Sequence, residues 1–191
     1  MMKLAVLETT LSDKLMIDFK FTPDEVALYL FAYTGTSTLI CFFMPLVPEW
    51  IDKRFFMVPS NLVCGFSAFL IGPSPTLGIT NKSSTVLTGL IVGGSLGAVV
   101  PCFVVAEAIT ATKRFIQPDQ YQIMLNKVSG YRTFFHGFGI LFGPIFAGFV
   151  MFYLGFPRLM EIVGLIFLGV GFTDIAFIIF EHFQEKRDML K

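Results

Sequence analysis

Residues 137–148, Gly-Phe-Gly-Ile-Leu-Phe-Gly-Pro-Ile-Phe-Ala-Gly, form an uncharged apolar run with glycine at 137, 139, 143 and 148 and proline at 144. Glycine inside a soluble helix costs about 1 kcal/mol relative to alanine, whereas glycine and proline are common in membrane-spanning helices. The run therefore reads as a transmembrane helix packed closely on neighbours. Gly139, Gly143 and Ala147 recur every fourth residue, so they fall on one side of a helix, where missing side chains let another backbone approach. Pro144 removes one backbone donor in mid-span, and neighbouring helices or a slight kink must re-satisfy the freed carbonyl. The stripe, Gly148 included, reads first as a packing face, with a direct ligand role as the alternative.

Composition agrees. Of 191 residues, 54% are hydrophobic and 15% charged, against roughly a quarter charged in soluble domains, and mean hydropathy is +0.73. The expectation is an all-α integral membrane protein. Formal net charge is zero and no basic tract carries interleaved aromatics, so a nucleic-acid partner is not expected. Cys41, Cys64 and Cys102 all lie in apolar runs, where a small buried hydrophobe is the simpler reading than a disulfide or metal ligand. The four-residue apolar run after Lys3 is too short for the core of a secretory leader, so none is expected.

Residues 1–21 mix Lys3, Glu8, Asp13, Lys14, Asp18 and Lys20 with leucines and methionines, which suits an amphipathic segment at a surface. Thr22-Pro23-Asp24-Glu25 is a full helix-start signature: a capping threonine, proline at the first helical position, and glutamate three residues after the cap. A first span is predicted from about Pro23 to Leu46, with a softer centre at residues 34–38, ended by Pro45, Pro48 and Glu49. Trp50 would then sit at the lipid headgroups. After the Asp52-Lys53-Arg54 turn, a second span runs from Phe55 to Gly72 as the antiparallel partner of the first. The polar loop 73–84 holds Asn81-Lys82-Ser83, which fits the glycosylation acceptor pattern.

A third span, Val86 to about Thr110, carries Gly89, Gly93 and Gly97 at four-residue spacing and should bend at Pro101. Residues 111–132 form the longest hydrophilic connection, partly helical from Asp119. The fourth span, about Thr133 to Leu154, and the fifth, about Leu159 to Phe180, are joined by a tight turn at residues 155–157, with a charged tail following. Five spans place the termini on opposite sides. One side holds nine Lys and Arg residues (53, 54, 113, 114, 127, 132, 186, 187 and 191) and the other five (3, 14, 20, 82 and 158). The positive-inside rule makes the tail cytoplasmic and puts the N-terminus and the Asn81 loop in the lumen or outside.

Residues 22–182 resemble the C-terminal half of a major facilitator superfamily transporter, in the vesicular amine and polyamine transporter-like group. Asp52, Lys53 and Arg54 lie where the family carries an acidic-basic signature in a short cytoplasmic turn. Gly143-Pro144 through Gly148 is similar to the family's glycine-proline element in helix eleven, and residues 155–160, Gly-Phe-Pro-Arg-Leu-Met, to its helix-eleven-to-twelve turn. The resemblance implies helices eight to twelve of a six-helix C-terminal bundle, with residues 1–21 a luminal segment or remnant of helix seven and 183–191 a cytoplasmic tail. It also implies a family of antiporters that exchange small organic cations for protons, in vesicle, endomembrane or plasma membrane. The residues where monoamine members carry aspartates are Leu96 and Thr133 here, and the family's first half and most of helix seven have no counterpart.

Charged groups inside a bilayer are functional candidates by default. Glu107, His136 and Asp174 fall in or beside spans towards the cytoplasmic face, where proton relay competes with pairing or snorkelling at the interface. Glu161, near the luminal edge, reads as an interfacial residue beside Arg158. No phosphate-cradling glycine loop and no Cys or His cluster with metal spacing occurs, so no enzyme, cofactor or metal is expected. The expected function is that of an incomplete transporter, not competent alone, whose partners are the bilayer, a small organic solute and either an N-terminal half or other membrane helices in trans. The alternative is a non-transporting membrane subunit that docks through its glycine-rich faces.

Overall fold

In a computed structural model, which describes residues 2–48, 51–113 and 120–189, every regular element is helical. The helices are α1 (Met2–Phe19), α2 (Pro23–Phe43), α3 (Arg54–Ile71), α4 (Ser83–Gly97), α5 (Val99–Lys113) and α6 (Tyr121–Met189). Trp50, Glu49 and residues 114–119 lie outside the described residues, so the expectations about the tryptophan and the Asp119 helix start rest there.

Local chemistry sets the boundaries. Thr22 caps α2 as its sequence predicts: its Oγ1 accepts from the Glu25 backbone N–H at 3.4 Å, and Glu25 Oε2 accepts from the Thr22 N–H at 2.8 Å. Lys20, with φ 57°, takes the left-handed conformation that turns the chain out of α1. Pro45 converts the end of the first span to one 3-10 turn, Met44–Leu46, so α2 stops at Phe43 rather than Leu46. The third span, expected as one bent helix, is interrupted at Ala98 and divides into α4 and α5. Pro101 has no N–H for the carbonyl four residues back, that of Gly97, and its ring crowds that carbonyl, so the helix opens there.

Gly155 does the corresponding work in α6. Its φ of 79° and ψ of 167° lie outside the helical region and are open to glycine alone at low cost, so α6 is two helices across a kink, 121–154 (α6a) and 156–189 (α6b). Pro157 follows at the start of α6b, where a missing N–H is harmless. The charged tail expected after residue 182 continues α6b through Met189.

Residues 2–19 form one helix whose Leu7, Leu11 and Leu15 recur every fourth position and are buried with Val6. They share a core cluster with Ala147 and Val150 before Gly155 and Leu159, Met160 and Val163 after it. Lys14 is buried at the edge of this cluster, its ammonium 5.4 Å from the Phe156 ring centroid and paired with Asp18 one turn on. A second interior lies along α3, which packs against α4, α5 and α6.

Four segments are long and apolar enough to cross a membrane: Pro23–Leu46, Arg54–Ile71, Ser83–Thr110 and Tyr121–Gln184. At 1.5 Å per residue the last would run about 96 Å against a ~30 Å hydrocarbon core, so the break at Gly155 leaves two arms, each long enough to cross. Large apolar side chains cover the outside of α2 and α6a, among them Phe31, Leu39, Phe138, Leu141, Ile145, Phe149 and Phe152. An exposed apolar surface of this extent is consistent with a multi-pass integral membrane protein.

Candidate functional site

The seam between α3 and α6b gathers charged residues carried by these long apolar helices. Gly65 and Gly164 let the two helices meet: a Cβ on Gly164 would lie 2.9 Å from the Gly65 carbonyl oxygen, and one on Gly65 would lie 2.7 Å from Leu168 Cγ. Gly171 meets Leu62 in the same way, at 2.7 Å from Cδ2. Contacts run from Arg54 with Glu181, through Asn61 with Asp174, to Ser74 with Glu161, so rising numbers on one strand of contacts meet falling numbers on the other. The helices are antiparallel.

At one end, Arg54 reaches two carboxylates. Its Nε donates to Glu107 Oε1 at 2.6 Å and its Nη1 donates to Glu181 Oε2. The three residues come from α3, α5 and α6b, and the guanidinium fork suits two acceptors better than an ammonium would. Asp52 supports the approach locally, Oδ1 accepting from the Arg54 backbone N–H at 2.9 Å. Lys53 is the residue before α3 and gives no side-chain cap. Of the Asp52, Lys53 and Arg54 turn, Arg54 is thus the member that ties helices together.

Two turns further along α3, Asn61 is buried and its Nδ2 donates to Asp174 Oδ2 at 2.9 Å. Arg54 and Asn61 are seven residues apart and so share a face of α3. The partner of Asp174 in this contact is a neutral amide. Glu107 and Glu181 face the Arg54 guanidinium instead.

At the opposite end Glu161 is buried, its side chain 8% exposed. It accepts from Ser74 Oγ, from Arg158 Nη1 at 2.7 Å and from the Thr76 N–H at 3.4 Å, while Arg158 also donates to Thr76 Oγ1 at 3.1 Å. The loop after α3 is thereby tied to the start of α6b. The sequence suggested an interfacial residue beside Arg158; the structure adds that it is the anchor of the 74–76 loop.

His136 stands elsewhere. It is half-buried in a cleft of about 440 Å³ between α5 and α6a, with Pro101, Val104, Phe135 and Arg132 among its walls. Glu107 and Asp174 have different partners on α3, Arg54 and Asn61, and His136 lines the cleft beside the α5 helix that carries Glu107. Asn81 is exposed and its Nδ2 donates to Asp18 at 3.2 Å. Leu96 is half-buried, and Thr133 is exposed with its hydroxyl donating to the Ser129 carbonyl at 3.0 Å.

The glycine stripes find partners inside the chain. Gly89 faces Leu70 and Ile71 of α3, Gly93 is buried with its carbonyl 3.8 Å from Cys64 Sγ, and Gly97 faces Cys64 and Tyr33. Gly94, not singled out by the spacing, meets the Tyr33 backbone, and Ser37 Oγ donates to its carbonyl at 2.8 Å. Gly143 and Ala147 are buried, Gly139 and Pro144 half-buried, while Gly137 and Gly148 face open space. Sequence reasoning missed Asn61, Glu181 and the Gly65/Gly164 crossing. An asparagine within an apolar run was the signal for the first, since a buried amide needs a partner.

Compared with known protein families, curated proteins and solved structures, this chain matches none.

Proposed function

We propose that the chain is one helical bundle of a major-facilitator-type membrane transporter, acting on small organic cations by proton exchange when a second bundle is paired with it. One observation carries the reading. In the middle of α2, Thr34 and Thr38 are exposed on the outer surface, on a depression of about 490 Å³ that Gly35, Thr36, Phe31 and Leu39 help to line. Their hydroxyls donate only backwards to carbonyls of their own helix, Leu30 at 3.1 Å and Thr34 at 2.9 Å. A hydroxyl strip at mid-span is wasted against hydrocarbon and suits a solute path or a second bundle. The resemblance of residues 52–54, 143–148 and 155–160 to the amine and polyamine transporters supports the same reading, and Asp174, facing a neutral amide, is its candidate proton-carrying group.

The alternative of a docking subunit has less to stand on, because Gly89, Gly94 and Gly97 already meet α2 and α3, and Gly143 is buried. Alternating access requires two bundles closing around a midplane site, so the isolated chain is expected to be silent. Reconstituted in liposomes with a proton gradient, it should show no saturable uptake of monoamines or polyamines. The complex extracted from its native membrane should exceed the 21.3 kDa of the chain by the mass of a second helical bundle, and Thr34→Leu with Thr38→Leu should release that bundle. Gradient-driven uptake by the chain alone, or a native complex made only of this chain, would overturn the proposal.

A further inference from the structure

Cys41, near the end of α2, and Cys102, early in α5, carry their sulfur atoms 3.5 Å apart. Cys64, by contrast, is buried and sits against the Gly93 carbonyl. The sequence reading of three buried small hydrophobes therefore holds for Cys64 and fails for Cys41, which is exposed. Two thiols at this separation need a shift of only about 1.5 Å to reach the ~2.05 Å of a disulfide, within the reach of side-chain rotation. The surrounding geometry makes the contact more than incidental. α2 and α4 run side by side, joined by Ser37 to Gly94 and by Tyr33 against Gly97, and they carry Cys41 to Cys102 just past the break at Ala98. Cys102 directly follows Pro101, so the thiol pair spans the break of the third span between Ala98 and Pro101.

We infer that Cys41 and Cys102 form a reversible dithiol/disulfide modification site, oxidised by hydroperoxides, that fixes α5 to α2 across the Pro101 bend. The Cys41 thiol, two residues before the end of α2, loses its proton as its sulfur attacks a peroxide oxygen, cleaving the O–O bond, and it becomes a sulfenic acid as the other oxygen leaves and is protonated to water. The Cys102 thiolate then attacks the Cys41 sulfur; the S–S bond forms, the S–O bond breaks, and the second oxygen departs as water. Two thiols lose two protons and two electrons, and one hydrogen peroxide becomes two waters. A thiol reductant reverses the step. The bond would close a loop that contains α3 and α4, so the oxidised chain holds the α4/α5 bend in one geometry.

The test uses the full chain in detergent micelles, treated with hydrogen peroxide, quenched, denatured and alkylated with N-ethylmaleimide. Intact mass should fall from three adducts, one for each free cysteine, to one, with the loss of two hydrogens. Peptide mapping should give a single intramolecular link, Cys41 to Cys102, and dithiothreitol should restore three adducts. Cys41→Ser and Cys102→Ser chains should each keep two alkylatable thiols after the same treatment or show only a mixed sulfur oxide. Amide exchange over residues 98–105 should slow in the oxidised wild type alone. Three adducts surviving oxidation of the folded wild type, a link that includes Cys64, or dimers linked between chains would overturn the inference, and none of these readouts depends on transport.

Discussion

Asn61 Nδ2 lies 2.9 Å from Asp174 Oδ2, joining α3 to the second arm of α6 across 113 residues of sequence. This contact sets a half-buried carboxylate against a neutral donor, a different situation from the Arg54 pairings seven residues away. The two arrangements differ in their partners: Asp174 meets a neutral donor, and Glu107 and Glu181 meet a cation.

Replacing Asn61 with Leu should remove the amide donor and leave Asp174 without it. Leaving a fully buried polar group unsatisfied costs about 1–3 kcal/mol; Asp174 is half-buried, so the unfolding midpoint in detergent should fall by an amount near the lower end, about 1 kcal/mol. Asp174→Asn, which keeps the shape and a hydrogen bond, should cost less. Equal losses for the two variants would mean that the donor is not what matters.

Arg54→Ala strands two carboxylates, whereas Glu107→Gln strands none. Breaking a fully buried pair costs about 3–5 kcal/mol; the Arg54 side chain is 31% exposed, so roughly 1–2 kcal/mol is expected after discounting for solvent screening. Glu107→Gln should lose less than half of that, and Arg54→Lys should fall between them because an ammonium lacks the fork. Chemical denaturation in mild detergent orders the three.

Gly164→Leu should drive a branched side chain into the Gly65 backbone, and overpacking of this kind costs about 1–3 kcal/mol. Gly94→Leu should behave alike against Tyr33. Gly137→Leu and Gly148→Leu, where a Cβ meets open space, should leave stability unchanged or slightly raised, since they relieve the helix of a glycine. A thermal-shift series on the four variants checks the contrast.

Acid should loosen α1. The Lys14 ammonium beside Asp18 holds its carboxyl below the ordinary carboxylate range, with Asn81 adding a second hydrogen bond and burial opposing both. A depressed folded value means the stabilisation is fully present above the unfolded carboxylate value, about 4, and is lost as pH falls through the folded one. Amide exchange in residues 6–19 should therefore rise as pH drops below about 4 once intrinsic exchange is corrected. Asp18→Asn should flatten that dependence.

Topology has its own check. In a background where native thiols are blocked, a cysteine at Ser83 should react with an impermeant maleimide from the luminal or external side, and one at Gln120 only from the cytosol. The excess of nine over five basic residues sets that direction. Labelling of both from one side would remove the five-span arrangement.

Local signals were legible because their causes are local. The Thr22 cap, the stop at Pro45, the opening ahead of Pro101 and the turn at Gly155 each depend on one residue's donors or allowed dihedrals, and each falls where the residue type predicts. The apolar lengths likewise follow from composition, as does the small-residue face of the third span. Which helix meets which was decided only in three dimensions. Arg54 finds Glu107 and Glu181 at separations of 53 and 127 residues, and Cys41 finds Cys102 at 61. Those meetings depend on the order of helices around the bundle and on each helix's rotation about its axis, which a uniformly apolar span leaves unmarked. The same holds for Gly65 against Gly164: either glycine alone is unremarkable in a membrane helix, and only the antiparallel register of α3 and the second arm of α6 brings the two backbones together.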